Sequence, residues 1–206
     1  MRITKTLFIS AVLLMSATGL QAAGFIQKGN YLTVQLKEHQ NYGPSQIRLQ
    51  VVNDQIIRVQ ATAEQSFRNK QSLIIVPQNS KSNYKVEEQG DKLIITTAAM
   101  RAVLNEATGQ ITFYDLKDNV LLNEVAQGGK TFKPFTVPDR EIGVDIAKVP
   151  EAQKHGWSWR ALFDSPDNEA FYGLGQHQSE ELNMKGKNED LFQYNTKVSV
   201  PFVISN

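Results

Sequence analysis

The sequence predicts an all-β fold, a two-sheet antiparallel β-sandwich, on three observations. Apolar and polar residues alternate along most of the chain, turn residues recur at short intervals, and helical periodicity is almost absent. Short strands separated by regular turns are typical of a sandwich, whereas βαβ units would place helical segments between the strands. The composition is that of an ordinary globular protein, because 41% of the 206 residues are hydrophobic and 21% are charged.

The chain begins with a pattern that is typical of a secretory signal peptide. Arg2 and Lys5 are basic, residues 7–15 form an apolar stretch, and small residues follow at 22–24. We expect a signal peptide at 1–22 and a mature domain at 23–206, located in the periplasm or secreted. The apolar stretch is shorter than the roughly 20 residues of a transmembrane helix. We therefore expect no membrane anchor.

The first strands follow from strict alternation. Leu32, Val34 and Leu36 alternate with polar neighbours and predict a half-buried strand. The runs at 47–51 and 57–61 repeat the pattern on either side of turn residues, which predicts a hairpin. Further strands are expected at 72–76, 84–88, 92–97, 101–104, 111–113 and 120–122.

The second half of the chain is less regular. Residues 128–150 contain a glycine pair and three prolines, which predicts a long loop. Helical turns are expected only at 150–155 and 179–182. Residues 198–204 form an apolar strand close to the last residue, and an unpaired edge strand of this kind invites aggregation. We therefore expect the chain to be the front part of a longer protein.

Charge and composition exclude several classes of function. Basic residues number 22, acidic residues 21 and cysteines none. Near-neutral charge without a basic stripe argues against nucleic-acid binding. Absent cysteine excludes disulfide scaffolds, thiolate zinc sites and cysteine nucleophiles. The chain is also shorter than the roughly 250 residues of a (β/α)₈ barrel.

Two glycines give the first candidate motif. Gly173 and Gly175 form G-x-G, but Gln178 stands where a dinucleotide fingerprint has its third glycine. A tight turn is the better interpretation, and we expect no nucleotide cofactor.

Acidic residues near His177 give a second candidate. His177, Glu180 and Glu181 have the spacing of metal ligands on one helical turn, but a second histidine is not close in sequence. We therefore expect no metal. Paired carboxylates such as Glu189 and Asp190 are expected on the solvated surface.

Two tryptophans share one face of a predicted strand. Trp157 and Trp159 are two residues apart, in line with Ala161 and Phe163. Such a stripe usually belongs to a sandwich core, which is the interpretation we favour here. The alternative is an exposed pair that stacks on sugar rings.

Amide and histidine side chains cluster at residues 171–178, where neutral groups that donate and accept hydrogen bonds suit an uncharged, hydroxyl-rich ligand. The motif F-Y-G-L-G-Q-H-Q at 171–178 is followed by L-N at 182–183, K-G at 185–186, N-T at 195–196 and S-V-P-F at 199–202. Together they resemble the end of the N-terminal β-sandwich of glycoside hydrolase family 31, and most closely its bacterial α-xylosidase branch, with α-glucosidases as relatives.

The resemblance implies a galactose-mutarotase-like sandwich followed by a catalytic barrel with an aspartate nucleophile and an aspartate acid/base. Neither aspartate corresponds to a residue of this chain. The implied partners are an oligosaccharide substrate and the enzyme's own barrel. The resemblance also implies that one loop approaches the sugar, the loop that contains Gln176, His177, Asn195 and Thr196. Lys197 departs from the pattern, because many α-glucosidases carry an acidic residue in this region.

The favoured interpretation is the exported N-terminal domain of a retaining α-glycoside hydrolase that acts on α-xylosyl or α-glucosyl ends of oligosaccharides. A free-standing carbohydrate-binding module is the main alternative. An aldose epimerase is the third, since its fold is related, but it needs a histidine and a carboxylate that converge on one sugar ring.

Overall fold

The computed structural model describes residues 24–37, 41–68, 75–76, 82–127, 129–137, 145–177 and 181–206, and nearly all regular structure in them is β-strand. The strands are β1 (Phe25–Lys28), β2 (Tyr31–Gln35), β3 (Gln46–Asn53), β4 (Ile56–Thr62), β5 (Lys85–Gln89), β6 (Lys92–Thr96), β7 (Met100–Asn105), β8 (Ile111–Asp115), β9 (Val120–Asn123), β10 (Lys130–Thr136), β11 (His155–Ala161), β12 (Phe171–Gln176) and β13 (Val198–Ser205). A 3-10 turn at Ile146–Lys148 and the one-turn helix α1 (Glu151–Lys154) precede β11. Within the described ranges, no helix has the length and apolar character needed to cross a membrane.

Two sheets form the sandwich. The first sheet has four strands in the order β1-β2-β3-β4, and the second has five in the order β5-β6-β7-β8-β9. Every neighbouring pair is antiparallel. Chain order and sheet order coincide, so strands that are neighbours in a sheet are also consecutive in the chain. The predicted all-β antiparallel sandwich is confirmed.

The core lies between these two sheets. Burial alternates along β2 and β3, as the sequence pattern predicts. Each side chain of this kind contributes roughly 1.5–3 kcal/mol by leaving water. The buried cluster joins residues of both sheets: Leu32, Val34, Leu36, Ile47, Leu49, Val51, Leu93, Ile95, Leu104 and Ile111.

Two separate ribbons, β10-β11 and β12-β13, follow the sandwich. The prediction of a long loop at 128–150 is wrong for its first part, because Lys130–Thr136 is strand β10. This strand pairs with β11 from Lys130 opposite Ala161 to Thr136 opposite His155. Pro134 lacks an N–H, but each strand of a two-stranded ribbon is an edge strand, where proline is tolerated. Glycine and proline content therefore did not exclude a strand here.

The glycine motif forms a strand and not a tight turn. Gly173 and Gly175 lie in β12, where the pairing with β13 shifts between them. Their φ angles are 117° and 105°. A Cβ on Gly173 would lie 2.6 Å from the carbonyl oxygen of Phe202, and one on Gly175 would lie 2.0 Å from that of Val198. Glycine is required at these positions because the two backbones approach so closely.

Other predicted elements have mixed outcomes. The strands expected from 84 to 122 and at 198–204 are present with shifts of one or two residues, and α1 lies within the helical turn predicted at 150–155. Only residues 75–76 of the strand predicted at 72–76 are described, and these two residues do not belong to a strand. At 179–182 the described residues, 181–182, are not helical. The predicted signal peptide at 1–22 lies outside the described residues.

Candidate functional site

The four residues predicted to approach a sugar lie where β12 ends and β13 begins. We call this region the ribbon end and define it as Gln176, His177, Asn195 and Thr196. Gln176 pairs with Val198 across the ribbon. Asn195 and Thr196 form a turn that is closed by a 2.7 Å hydrogen bond from Lys197 N–H to the carbonyl of Tyr194. The ribbon therefore brings the two sequence motifs to the same place, with Gln176, Asn195 and Thr196 exposed.

His177 is buried beneath this surface. Its side chain is 6% exposed. Nε2 donates a hydrogen bond of 2.7 Å to the carbonyl oxygen of Leu174. Nδ1 lies 3.3 Å from Oε2 of Glu189. The two side chains form an ion pair when the ring is charged. Among the described residues only Nε2 has a hydrogen-bond partner, and the buried Nδ1 faces Glu189. His177 therefore supports the ribbon end through Leu174 and Glu189.

Glu189 connects His177 to the turn. Its side chain is largely buried, and Oε2 also lies 3.5 Å from Nζ of Lys197. Lys197 donates a further hydrogen bond of 3.3 Å to the carbonyl of Asp190. The expectation that Glu189 is solvated surface charge is wrong, because His177 and Lys197 hold it inside the loop. No signal in the sequence identified this partnership, since the three residues are not regularly spaced.

Asn183 fixes the segment that leads to this loop. Its side-chain oxygen accepts hydrogen bonds of 3.0 Å from the N–H groups of Phe171 and Lys185. Met184 N–H donates 2.8 Å to the carbonyl of Phe171. Asn183 and Met184 therefore hold this segment against the start of β12.

The predicted metal ligands do not form a cluster. Glu181 pairs with Lys187 at 2.8 Å, whereas His177 contacts Glu189. Glu180 lies outside the described residues. Among the residues that the structure describes, no group of three or more histidines and carboxylates could hold a metal ion.

A concave surface, the aromatic cleft, lies between β4 and the β10-β11 ribbon. Its volume is about 700 Å³. Trp159 is 68% exposed and Trp157 is also exposed, so the interpretation of this stripe as sandwich core is wrong. The reason is that, among the described strands, β11 pairs with β10 alone, in a ribbon outside the two main sheets. The aromatic side chains that define the cleft are Phe67, Phe132, Trp157, Trp159 and Phe163.

Charged groups lie at the rim and floor of the aromatic cleft. At the rim, Arg68 bonds Glu64 at 2.6 Å and lowers the pKa of that carboxyl, with a smaller contribution from the indole of Trp157. At the floor, Lys130 bonds Glu124, and both side chains are buried. Burial lowers the pKa of Lys130, and the attraction of Glu124 opposes this. The cleft therefore combines apolar walls with a few fixed polar groups, as ligand-binding and protein-binding surfaces do.

The chain is similar to a family of known proteins in both sequence and structure. The family model described as the glycosyl hydrolase 31 N-terminal galactose mutarotase-like domain matches residues 46–206. A crystal structure of a family 31 α-xylosidase from Xanthomonas citri superposes with a TM-score of 0.73 at 34% identity, covering 87% of this chain and 18% of that one. A family 31 α-xylosidase from a soil metagenome, solved with xylose, gives 0.63 at 26% identity, covering 88% of this chain and 26% of that one.

A curated relative points the same way. An uncharacterised family 31 glucosidase of Pseudescherichia vulneris is 25% identical over 169 residues, which is 78% of this chain and 31% of that protein. The chain therefore spans less than a third of the length of each of these three relatives.

Proposed function

Because the chain belongs to glycoside hydrolase family 31, as its N-terminal galactose mutarotase-like domain, we propose that it is the supporting domain of an exported α-glycosidase. The substrates are terminal α-xylosyl or α-glucosyl units of oligosaccharides. The observation that carries the proposal is the family match over residues 46–206, which includes the ribbon end. The similarity to two α-xylosidase structures supports α-xylosides as the first substrates to test.

The bond-breaking groups belong to the barrel of the whole enzyme. In a retaining glycosidase two carboxyl groups lie about 5 Å apart, one attacking the anomeric carbon and the other protonating the leaving oxygen. The present domain binds and orients the sugar. Exposed amide and hydroxyl groups at Gln176, Asn195 and Thr196 suit sugar hydroxyls, because they donate and accept hydrogen bonds without charge.

The aromatic cleft is the surface that packs on the enzyme's own barrel. Phe202, Val203 and Ile204 of β13 are exposed as well as the tryptophans of β11. Exposed apolar side chains of this size mark interaction sites when they form a patch, as the aromatic side chains of the cleft do. The barrel is the fitting partner, since the relatives extend far beyond the matched region and an apolar surface is best covered permanently.

The direct test is an assay of the whole protein on aryl α-xyloside and aryl α-glucoside. The proposal predicts release of the aryl alcohol from at least one of them, with retention of anomeric configuration in the first sugar product. If neither substrate is hydrolysed, the proposal fails.

The exposed tryptophan pair favours one alternative, a carbohydrate-binding module without catalysis. Aromatic faces such as Trp159 stack on pyranose rings. This alternative predicts calorimetric binding of xyloglucan fragments to residues 24–206, and loss of binding on Trp159→Ala. The favoured proposal predicts negligible binding by this part alone.

A further inference from the structure

Gly24, the first described residue, is held between two carboxylates. Its N–H donates a hydrogen bond of 2.6 Å to Oε1 of Glu88. A Cβ on Gly24 would lie 2.6 and 2.8 Å from the two carboxylate oxygens of Glu106. The backbone at this point therefore touches one acidic side chain and bonds another.

One carboxylate oxygen of Glu106 lacks a partner among the described residues. The residue is 2% exposed. Its Oε2 lies 3.1 Å from Nζ of Lys37, but Oε1 has no hydrogen-bond partner among the described residues. Lys37 is itself shared with Asp91, at 2.6 Å. An ionised carboxylate that is buried with an unpaired oxygen is costly, so a further donor or positive charge would stabilise this place.

We propose that Glu88 and Glu106 form a binding site for the mature amino terminus of this same chain, the α-ammonium group of Gly24, which leader removal one residue beyond the boundary expected from the sequence creates. The proposal rests on the proposed export. In leader removal, water adds across one peptide bond, which leaves a carboxylate on the leader and an amine on the mature protein. The amine takes up a proton, since the pKa of an α-amino group is about 7.7–8.0.

The geometry fits the product of cleavage better than the precursor. A peptide N–H offers one donor and no charge, and at Gly24 that donor already reaches Glu88. An ammonium group offers three donors and a positive charge. It can therefore bond Glu88 and the unpartnered oxygen of Glu106 together, and charge-assisted bonds of this kind are the stronger ones.

The site joins the two sheets of the sandwich. Gly24 leads into β1 of the first sheet, whereas Glu88 lies on β5 and Glu106 directly follows β7 in the second sheet. The backbone N–H of Lys37, after β2, also donates to the carbonyl of Glu106 at 3.2 Å. A charged amino terminus at this point connects the edge strands β1 and β5 of the two sheets. Leader removal therefore makes the folded domain more stable than the folded precursor.

The test is a double-mutant cycle on the whole protein, measured by urea unfolding. The first change in the cycle is at the amino terminus, which is either the natural processed terminus or one that a Gly-Ser-Gly-Ser extension moves away from the site. The other change is Glu106→Gln. The extension is expected to lower the folding equilibrium constant at least tenfold with Glu106 present, as a lost charge-assisted bond does. In the Glu106→Gln variant, the extension is expected to have a clearly smaller effect, because only Glu88 remains as a charged partner.

A matched control is Glu124→Gln, which alters a buried carboxylate remote in sequence from Gly24 and bonded to Lys130. The effect of the extension is expected to be the same with and without this change. If Glu106→Gln does not fold, Glu88→Gln at the exposed carboxylate takes its place in the cycle. An equal effect of the extension in wild type and variant overturns the proposal.

Intact mass of the secreted protein supplies the second readout. A first residue at Gly24 is expected, and any other start overturns the proposal. Neither measurement depends on catalysis. A protein that shows the coupling but hydrolyses no glycoside therefore contradicts the proposed function alone, and the reverse result contradicts this inference alone.

Discussion

Single residues decide whether β12 and β13 can pair. The Gly175 backbone has φ of 105°, and a Cβ there would lie 2.0 Å from the carbonyl oxygen of Val198. Gly175→Ala is therefore expected to destabilise the protein by about 2–4 kcal/mol, because both strain and backbone displacement add to the cost. Urea unfolding measures this loss.

Gly186→Ala is the matched control for this prediction. Gly186 also has positive φ, at 72°, but its Cβ would meet nothing within 4 Å. Only the conformational cost of about 1–2 kcal/mol is expected. Similar losses for the two variants would show that the close approach of the backbones contributes nothing.

Asp115 gives a prediction about pH. Its Oδ1 accepts hydrogen bonds of 2.8 Å from the N–H groups of Lys117 and Asn119 in the turn between β8 and β9. The side chain of Asn119 bonds Oδ2 and is the largest cause of the lowered pKa of Asp115. A lowered folded-state pKa stabilises the protein above the unfolded value of about 3.9, and that contribution is lost as pH falls through the folded value.

Asp115→Asn is thus expected to be less stable than wild type at pH 7, with a gap that closes as pH falls below about 4. Thermal unfolding across pH 2–7 measures the gap. Asp167→Asn, at an exposed aspartate in the loop before β12, serves as control and is expected to show little gap at any pH. A gap for Asp115→Asn that is constant with pH contradicts the explanation.

Among the elements, the ion pair of Glu124 and Lys130 joins the second sheet to the β10-β11 ribbon. Glu124 also accepts a 2.9 Å hydrogen bond from Ile111 N–H on β8. Glu124→Ala leaves a buried lysine without its partner and is expected to cost about 3–5 kcal/mol. Replacing both residues by Met is expected to cost less than this single change, since no uncompensated charge remains. Chemical denaturation of the three proteins distinguishes the outcomes, and a double variant less stable than the single one would contradict them.

The sequence predicts the sandwich well where one face is buried. In β2 and β3 the period of two directly reports burial, because Leu32 and Leu49 face the core while their neighbours face water. Hairpin connections between neighbouring strands make this local pattern sufficient for the sheet order. The strands of the first two sheets can therefore be predicted from alternation and turns alone.

The strands of the two ribbons, and the exposure of their side chains, cannot be predicted in the same way. Strand β10 contains Pro134 and follows a glycine pair, and an edge position that tolerates proline cannot be inferred without knowing the sheet. Trp157 and Trp159 follow core-like spacing but lie on a ribbon, where exposure depends on what the rest of the protein covers. Of the candidate site, the motif residues were found from sequence, whereas the contact of His177 with Glu189 arises from tertiary structure.

For the molecule as a whole, the exposed aromatic cleft predicts how residues 24–206 behave when they are separated from the proposed catalytic barrel. Exposed Trp159 and the apolar outer part of β13 favour self-association. Trp159→Ser is expected to weaken this association severalfold in sedimentation velocity. Ile26→Ser, at an equally exposed apolar residue on β1, is the control and is expected to change little. Equal effects of the two substitutions would argue against a specific surface at the cleft.

The most direct measurement is kcat/KM of the whole protein for aryl α-xyloside and aryl α-glucoside, compared between wild type and Asn195→Ala. Asn195 is exposed at the ribbon end, and the loss of one hydrogen bond to a sugar hydroxyl amounts to about 1–2 kcal/mol. Hydrolysis of at least one substrate is expected, with a roughly tenfold lower kcat/KM for Asn195→Ala and no change for the control Gln27→Ala on β1. Absence of hydrolysis, or an unchanged kcat/KM in Asn195→Ala, would contradict the proposed function.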